Sequence, residues 1–486
     1  MDNLSTPFRL TPLVLTTILL LFSVFSVLGI NYFGITFGLG IFIILIGLPL
    51  VFSVIYYPKF GILVLLIAAY FVMFVLRIGV NFPLGTLMDG LVLLLGFGFI
   101  IYQKKYQKWE AFRNPISVMI LVWIGYNLLQ VLNPEAASKM AWLYTIRSVA
   151  LIMLTYFVFV AQIRTKEFIR LIFSVWIFLA FFAALYAVKQ EYVGFFGFEE
   201  ASINTELQRS LLFIDGKWRK FSIFSDPVSF SYNMVISAIL CVAVMLNPMK
   251  TYKKVILGCL AALFLTTMLY SGTRGAYPLF PLAMFLFVVL RFNFNILKYA
   301  IVGAAFFIAL VFVPTSNPTI VRFQSAFSPD DDASFNVRKI NQKKIQPYIQ
   351  QHPFGGGLGA TGVWGKRFAP NSELANFPSD SGYVRVAVEL GYVGMFLFCT
   401  FMFVVLKTGI ENYYIIKDTE LKNYCLGMVL IIFALGIGNY PQEALVQFPN
   451  SVYFYLAVAM INITLIIDKR DSKNVALKHK EYEALD

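Results

Sequence analysis

The sequence predicts an all-α, polytopic integral membrane protein with about fourteen transmembrane helices, in a range of twelve to fourteen. Of its 486 residues, 59% are hydrophobic and only 13% are charged. The mean hydropathy is +0.74, far from the values of soluble globular chains. Apolar runs long enough to cross about 30 Å of hydrocarbon recur along the chain. Further spans follow the first run, so we interpret that run as a retained helix rather than a cleaved signal.

Fourteen apolar runs each predict one membrane-spanning helix. Connections that carry charged residues separate most of these runs. The approximate bounds are 11–30, 33–55, 60–80, 84–101, 115–132, 141–162, 168–188, 228–247, 254–270, 275–291, 297–313, 383–406, 422–440 and 450–467.

The connections between the predicted helices alternate between basic and less basic ones. By the positive-inside rule, the basic set faces the cytoplasm, and both termini then lie there as well. The basic residues concerned, besides the tail, are Lys104, Lys105, Lys108, Arg113, Arg164, Lys166, Arg170, Lys250, Lys253, Lys254, Arg291, Lys298, Lys407, Lys417 and Lys422.

The opposite set of connections includes two long ones, which hold aromatic residues, glycines and isolated charges rather than low-complexity sequence. We predict that both are folded and functional, and that the larger is partly helical. The chain then divides into N-terminal transmembrane helices (1–188), a first long extracytoplasmic loop (189–227), central transmembrane helices (228–313), a large extracytoplasmic loop (314–382), C-terminal transmembrane helices (383–467) and a cytoplasmic basic tail (468–486).

An arginine lies in the short outward connection "SGTRGA", residues 271–276. The apolar runs on either side, 255–270 and 276–290, carry no charge. A charge at the membrane edge is costly unless it is paired, and the flanking Gly272 and Gly275 allow a tight turn and a close approach by a ligand. Arg274 therefore predicts an anion site, the alternative being an arginine that snorkels to outer headgroups.

Four stretches resemble one family of bacterial envelope proteins. They are "YSGTRGAYP" (270–278), "QQHPFGGGLG" (350–359), "DSGYVRVAVELGYVG" (380–394) and, more weakly, "RKFSIFSDPVSF" (219–230). Their order and spacing resemble the O-antigen ligase and O-antigen polymerase family over roughly residues 200–400.

The resemblance implies a membrane glycosyltransferase of the bacterial cytoplasmic membrane, with its active site on the outer, periplasmic face. Such an enzyme transfers or polymerises glycan from an undecaprenyl-diphosphate-type carrier onto a sugar hydroxyl, in the assembly of lipopolysaccharide, capsule or exopolysaccharide. The implied partners are the carrier-linked donor, a glycan acceptor and membrane lipids, with flippase and chain-length regulator proteins as further candidates. No cofactor or metal is implied, because the carrier diphosphate is itself the leaving group.

Four residues are the catalytic candidates. Arg274 and Arg338 suit a diphosphate, because guanidinium donates two parallel charge-assisted hydrogen bonds. The family's histidine position in the third motif holds Asp380 here, so Asp380 or His352 is the candidate general base. The alternatives are a basic interfacial helix around Arg338, a helix cap formed by Asp380 with Ser381, and a loop-positioning role for His352.

A second set of residues is predicted to contact substrate, although each also has a purely structural explanation. The glycines are compatible with a loop over the site or with a simple flexible turn. The Glu389 carboxylate is near the start of a helix, where it would interact favourably with the helix dipole. Tyr383 could stack on a sugar ring or lie at the membrane interface. These candidates are Arg219, Arg209, Arg385, Gly355, Gly357, Gly359, Tyr383 and Glu389.

Several other readings of the sequence are disfavoured. "GLGATG" (357–362) has dinucleotide-binding spacing but no surrounding strand–helix unit, and the acidic run in "SPDDDAS" (328–334) suits a solvated turn better than a metal site. The basic residues are scattered along the chain rather than clustered, which argues against a nucleic-acid-binding patch. The four cysteines are predicted to be small core residues. The remaining alternative function is a lipid-linked oligosaccharide flippase, which predicts charges along a central cavity rather than in two long loops.

Overall fold

The computed structural model describes residues 12–79, 84–106, 109–214, 216–327 and 333–483. Nineteen α-helices account for most of these residues, and the strands found among them, β1 (Phe213–Ile214) and β2 (Lys217–Trp218), form a small antiparallel hairpin. The helices are α1 (Pro12–Phe33), α2 (Ile35–Tyr56), α3 (Pro58–Arg77), α4 (Leu84–Tyr106), α5 (Pro115–Leu129), α6 (Lys139–Gln162), α7 (Lys166–Tyr192), α8 (Gly197–Ile203), α9 (Glu206–Leu212), α10 (Pro227–Met245), α11 (Thr251–Tyr270), α12 (Leu279–Leu290), α13 (Phe294–Phe312), α14 (Pro318–Ser325), α15 (Ala333–Gln351), α16 (Gly362–Phe368), α17 (Gly382–Ile415), α18 (Thr419–Gly438) and α19 (Asn450–Glu483).

Each of the fourteen predicted spans coincides with a helix, namely α1 to α7, α10 to α13 and α17 to α19. Within the described ranges, eleven helices are long and apolar enough to cross a membrane, and three shorter apolar segments lie in α1, α2 and α12. The all-α, polytopic membrane fold predicted from hydropathy is therefore confirmed.

Three helices form the centre of the bundle. The apolar windows of α10, α18 and α19 are 78%, 83% and 89% buried, whereas that of α13 is 0% buried. Small residues allow the central helices to approach closely, since a Cβ added at Gly427 of α18 would collide with Ala243 of α10. The central helices are thus enclosed by protein, whereas α13 has no fully buried residue.

Buried polar side chains connect the central helices. The Tyr70 hydroxyl donates to Asn233 Oδ1 at 2.6 Å, and Asn233 Nδ2 donates to Asn450 Oδ1 at 3.2 Å. Trp176 Nε1 donates to the Ser237 hydroxyl oxygen at 3.1 Å. Because an unpaired polar group is costly away from water, these bonds favour one arrangement of α3, α7, α10 and α19.

The four cysteines are all free. Cys241 and Cys425 are buried as predicted, but Cys259 and Cys399 are exposed on helix surfaces. The core assignment is therefore wrong for Cys259 and Cys399, because apolar residues of a membrane helix are as stable against lipid tails as in a protein core.

The two long connections contain helices of their own and lie at one end of the bundle. The first holds α8, α9 and the hairpin, and the second holds α14, α15 and α16. Both contact the connection between α11 and α12, where Arg274 lies. This convergence defines the candidate site.

Candidate functional site

Arg274 follows a tight turn at the end of α11. The chain reverses at Gly272, whose φ of +59° is in the left-handed region that favours glycine. A Cβ at this position would also lie 2.8 Å from Nε of Arg322. Thr273 is buried, and Arg274 begins a short 3₁₀ helix. We call residues 271–274 the arginine turn.

Two further arginines are anchored to the backbone and side chains of the arginine turn. Arg219 donates from Nε to the Ser271 carbonyl at 2.9 Å and from a terminal nitrogen to the Thr273 hydroxyl at 3.0 Å. Arg322, from α14, donates from Nε to the Gly272 carbonyl at 2.9 Å. Both long connections therefore supply a guanidinium group to the turn that carries Arg274.

The charges of Arg274 and Arg322 act electrostatically on Arg219. Burial lowers the pKa of Arg219 to about 10; the positive charges of Arg322 and Arg274 act in the same direction, and Asp226 opposes them. Arg219 still remains protonated at neutral pH. Like charges held this close repel one another, so an anion bound among them would relieve the repulsion.

The Tyr277 hydroxyl lies beside this cluster. Tyr277 is 1% exposed, and its hydroxyl has no hydrogen-bond partner among the described residues. It interacts electrostatically with Arg219, Arg274 and Arg322. Because buried hydroxyls are nearly always hydrogen-bonded, this group marks a position where a ligand oxygen could be bound.

Arg338 reaches the same region from α15. One of its terminal nitrogens donates to the Pro441 carbonyl at 2.9 Å. Pro441, in the connection between α18 and α19, packs against Gly275, where an added Cβ would lie 3.0 Å from the proline ring. Pro441 thus contacts both Arg338 and Gly275, the residue that follows Arg274.

Asp380 interacts electrostatically with Arg338. Surrounding protein partly desolvates the carboxylate and raises the pKa of Asp380, while the Arg338 charge opposes this shift. The N-cap of α17 is Ser381, whose hydroxyl accepts from the Val384 N–H. Since Ser381 supplies the cap bond, the Asp380 carboxylate is not needed for it.

His352 lies in different surroundings. Its Nδ1 contacts the Tyr348 carbonyl at 2.8 Å, its ring stacks on Tyr348, and its Nε2 is 3.7 Å from the Glu135 carboxylate. These contacts attach the end of α15 to the connection after α5, and they involve neither Asp380 nor the arginine turn.

Residues 355–359, which we call the glycine stretch, are buried and tightly packed rather than forming a simple flexible turn. Gly355, Gly357 and Gly359 have φ values of +71°, +92° and +81°, and a Cβ at Gly355 or Gly359 would collide with neighbouring atoms. Gly357 N–H donates to the Glu389 carbonyl at 2.9 Å. Positive φ and close packing together require glycine at these positions.

Glu389 anchors this glycine stretch from inside the protein. It is 3% exposed, and its carboxylate accepts from the Gly359 N–H at 2.9 Å, from Thr361 and from Arg385 Nε at 3.1 Å. Arg385 also binds Glu443 at 2.7 Å. Arg385 and Glu389, predicted as substrate contacts, thus belong to an internal ion network.

Glu443 connects this network to the residues next to Asp380. Its second carboxylate oxygen accepts from the Ser379 hydroxyl at 3.1 Å. Neither Glu443 nor Arg322 was among the sequence-predicted site residues. The signal that could have indicated Glu443 is an isolated acidic residue in a short connection opposite the basic set.

Replacing Glu389 with glutamine should lower the free energy of unfolding by about 2–3 kcal/mol, because a neutral amide is a weaker acceptor and leaves part of the Arg385 charge uncompensated. Glu411→Gln, on the same helix, is the matched control: its pair with Lys407 is exposed on both sides and should contribute less than about 0.5 kcal/mol. Unfolding in detergent measures both variants. Equal losses would show that the Glu389 network adds no special stability.

The two remaining candidates are Tyr383 and Arg209. The Tyr383 hydroxyl donates to the Gly436 carbonyl at 2.9 Å, and its ring packs against Phe398. Arg209 is exposed on α9. The acidic positions Asp330, Asp331 and Asp332 lie outside the described residues.

Most of the candidate site lies within a segment that matches a known protein family. Residues 259–399 match the O-antigen ligase family model. The match confirms the family resemblance inferred from the motifs. No curated protein matches the chain.

The matched segment includes Arg274, Arg322, Arg338, Asp380 and the glycine stretch. It does not include Arg219 or Glu443, which reach the site from outside residues 259–399. The match supports a glycan ligase or polymerase role with lipid-linked glycan donor and acceptor substrates. Together with the membrane-spanning helices it indicates an inner membrane protein.

Proposed function

We propose that the protein transfers or polymerises glycan from an undecaprenyl-diphosphate-type carrier onto a sugar hydroxyl at the outer face of the cytoplasmic membrane. The observation that carries this proposal is the group of three guanidiniums, from Arg219, Arg274 and Arg322, around the arginine turn. The Tyr277 hydroxyl, which has no hydrogen-bond partner in the described part of the chain, adds a donor. Such a group suits a diphosphate, which carries two or more negative charges.

The arginines act on the leaving group. The acceptor hydroxyl oxygen attacks the anomeric carbon of the donor sugar, and the bond from that carbon to the diphosphate oxygen breaks. The electron pair of the broken bond stays on the diphosphate, which remains attached to the lipid. Guanidinium groups stabilise the charge that develops there, with Arg274 as the bidentate donor and Arg338 as a second cation.

Asp380 takes the proton of the acceptor hydroxyl. Its raised pKa makes it a stronger base than an ordinary aspartate, while the charge of Arg338 favours the ionised form that can accept a proton. His352 positions the end of α15 through Tyr348 and Glu135. This division of roles assigns the base to the residue that interacts with Arg338.

A detergent extract with a synthetic carrier-linked repeat unit tests the proposal. An enzyme forms longer or transferred glycan without a sealed vesicle, whereas a flippase forms no new bond. Elongation with the repeat unit alone indicates a polymerase, and product that appears only with a separate acceptor indicates a ligase. Absence of new glycosidic bonds, with folded protein and both substrates supplied, would contradict the proposal.

The orientation can be tested by labelling single cysteines in a cysteine-free background. Ser202→Cys and Asn371→Cys should react with a membrane-impermeant thiol reagent in intact spheroplasts, while Lys417→Cys should not. Asn371 and Lys417 are both exposed and lie beyond opposite ends of α17. The comparison of these two positions is therefore the more decisive test of orientation. Labelling of Lys417→Cys without permeabilisation would overturn the proposed orientation.

A further inference from the structure

A cavity of about 740 Å³ lies between α7, α11 and α18. It is at the opposite end of α11 from the arginine turn: Lys253 in the first turn of α11 lines the cavity, whereas Tyr270 ends the helix beside the arginine turn. Twenty helical residues span about 30 Å. The cavity is therefore separate from the candidate active site.

The carboxylates that line this cavity are already paired. Lys166 Nζ is 2.7 Å from Asp418 Oδ2. Arg170 donates to both oxygens of Glu420, at 2.6 and 2.5 Å. Lys253 is exposed and forms no salt bridge with a carboxylate among the described residues. The cavity consequently has an uncompensated positive charge at Lys253.

A buried amide with one nitrogen lacking an acceptor also lies in the wall of the cavity. Asn247 lines the cavity and is 5% exposed. Its Oδ1 accepts from Asn423 Nδ2 at 2.8 Å, while its own Nδ2 has no hydrogen-bond partner among the described residues. A buried donor without an acceptor is costly, so an acceptor oxygen in the cavity would stabilise this position.

Apolar side chains form the rest of the wall. Ile177, Ile256 and Leu257 line the cavity, and the neighbouring surface continues outward through Phe178 and Val255, which are 67% and 58% exposed. A soluble anion makes no use of such a surface, because its hydration shell would be lost without compensation. A ligand with both an anionic oxygen and acyl chains fits the polar and the apolar parts together.

We propose that this cavity binds an anionic glycerophospholipid from the adjacent leaflet. Its phosphate lies between Lys253 and the Asn247 amide, and its acyl chains follow Ile177 and Ile256 toward the bilayer. Lys250 and Lys254 add long-range attraction for anionic headgroups. The proposal does not depend on the glycan chemistry at the other end of the bundle.

The experiment compares two lysines that are adjacent in the sequence. The purified full chain is titrated with phosphatidylglycerol or phosphatidylcholine in detergent, and bound lipid is counted by native mass spectrometry. Lys253→Gln should weaken phosphatidylglycerol binding about tenfold. Lys254 is next to Lys253 in the sequence but does not line the cavity. Lys254→Gln removes the same charge and should change binding less than about twofold. Phosphatidylcholine should bind at least about tenfold more weakly than phosphatidylglycerol.

A second variant tests the buried amide. Asn247→Asp keeps the acceptor for Asn423 but replaces the free donor by a negative oxygen, so phosphatidylglycerol binding should fall about tenfold or more. If this variant does not yield monodisperse protein, the Lys253 and Lys254 pair still decides the proposal. Equal effects of Lys253→Gln and Lys254→Gln would indicate general surface attraction and overturn it. Glycerol 3-phosphate serves as the soluble control. If it raised the thermal unfolding temperature as much as phosphatidylglycerol does, the lipid assignment would be overturned in favour of a soluble phosphate.

Discussion

Replacing Arg274 with lysine should reduce glycan formation by about 30- to 1,000-fold while the protein remains folded in the membrane. Lysine keeps the charge but loses the planar fork that donates two parallel hydrogen bonds to a phosphate. Losing one such bond to the developing charge corresponds to about 2–4 kcal/mol of transition-state stabilisation. The initial rate with carrier-linked repeat unit, normalised to membrane abundance, measures the effect.

Arg209→Lys is the matched control for this experiment. Arg209 is exposed on α9 and is outside the group formed by Arg219, Arg274 and Arg322, so its replacement should change the rate less than about twofold. Near-normal glycan formation by Arg274→Lys would contradict the anion-binding role of Arg274. It would favour the alternative, in which Arg274 snorkels to lipid headgroups.

Replacing Asp380 with asparagine should lower the turnover rate by about 10²- to 10⁴-fold, the range expected for removal of a general base. Carrier binding and expression should stay normal, because the α17 cap bond comes from Ser381. His352→Ala, which removes the side-chain contacts to Tyr348 and Glu135, should have a smaller effect. An active Asp380→Asn variant together with an inactive His352→Ala variant would move the role of base to His352.

The pH dependence gives an independent check on Asp380. A general base must be deprotonated, so the rate should fall as the pH drops through the pKa of this group. Desolvation raises the pKa of Asp380 and Arg338 opposes the shift, so the acidic limb should lie above the range of an ordinary aspartate. Asp380→Asn should abolish that limb. An unchanged acidic limb in this variant would exclude Asp380 as the titrating group.

The candidate site was predicted from sequence in part. Arg274 was identifiable because an isolated charge between two long apolar runs is costly to place at a membrane edge. Arg322 was not, because its guanidinium reaches the Gly272 carbonyl from 50 residues further along the chain. Glu443 was missed for the same reason, since it binds Arg385 from 58 residues away.

Some predicted site residues form contacts within the protein, and their predicted contact with substrate stays a prediction. Arg385 and Glu389 have the residue types expected of a substrate site, yet Glu389 holds the buried glycine stretch and Arg385 lies between two carboxylates. Tyr383 donates its hydroxyl to a helix carbonyl. A sequence pattern shows that a polar group needs a partner in this environment, but it does not show whether that partner is a ligand or another part of the chain.

The sequence by itself determined the membrane fold class and the positions of the fourteen helices, because the free energy of transfer into hydrocarbon is summed over neighbouring residues and needs no knowledge of distant contacts. Only the tertiary structure decided which charges meet at the arginine turn and which of them pair with one another. Those contacts join segments that are far apart along the chain, and their energies depend on interatomic distance and local desolvation. Both quantities exist only after α10, α11, α14 and α17 have packed together.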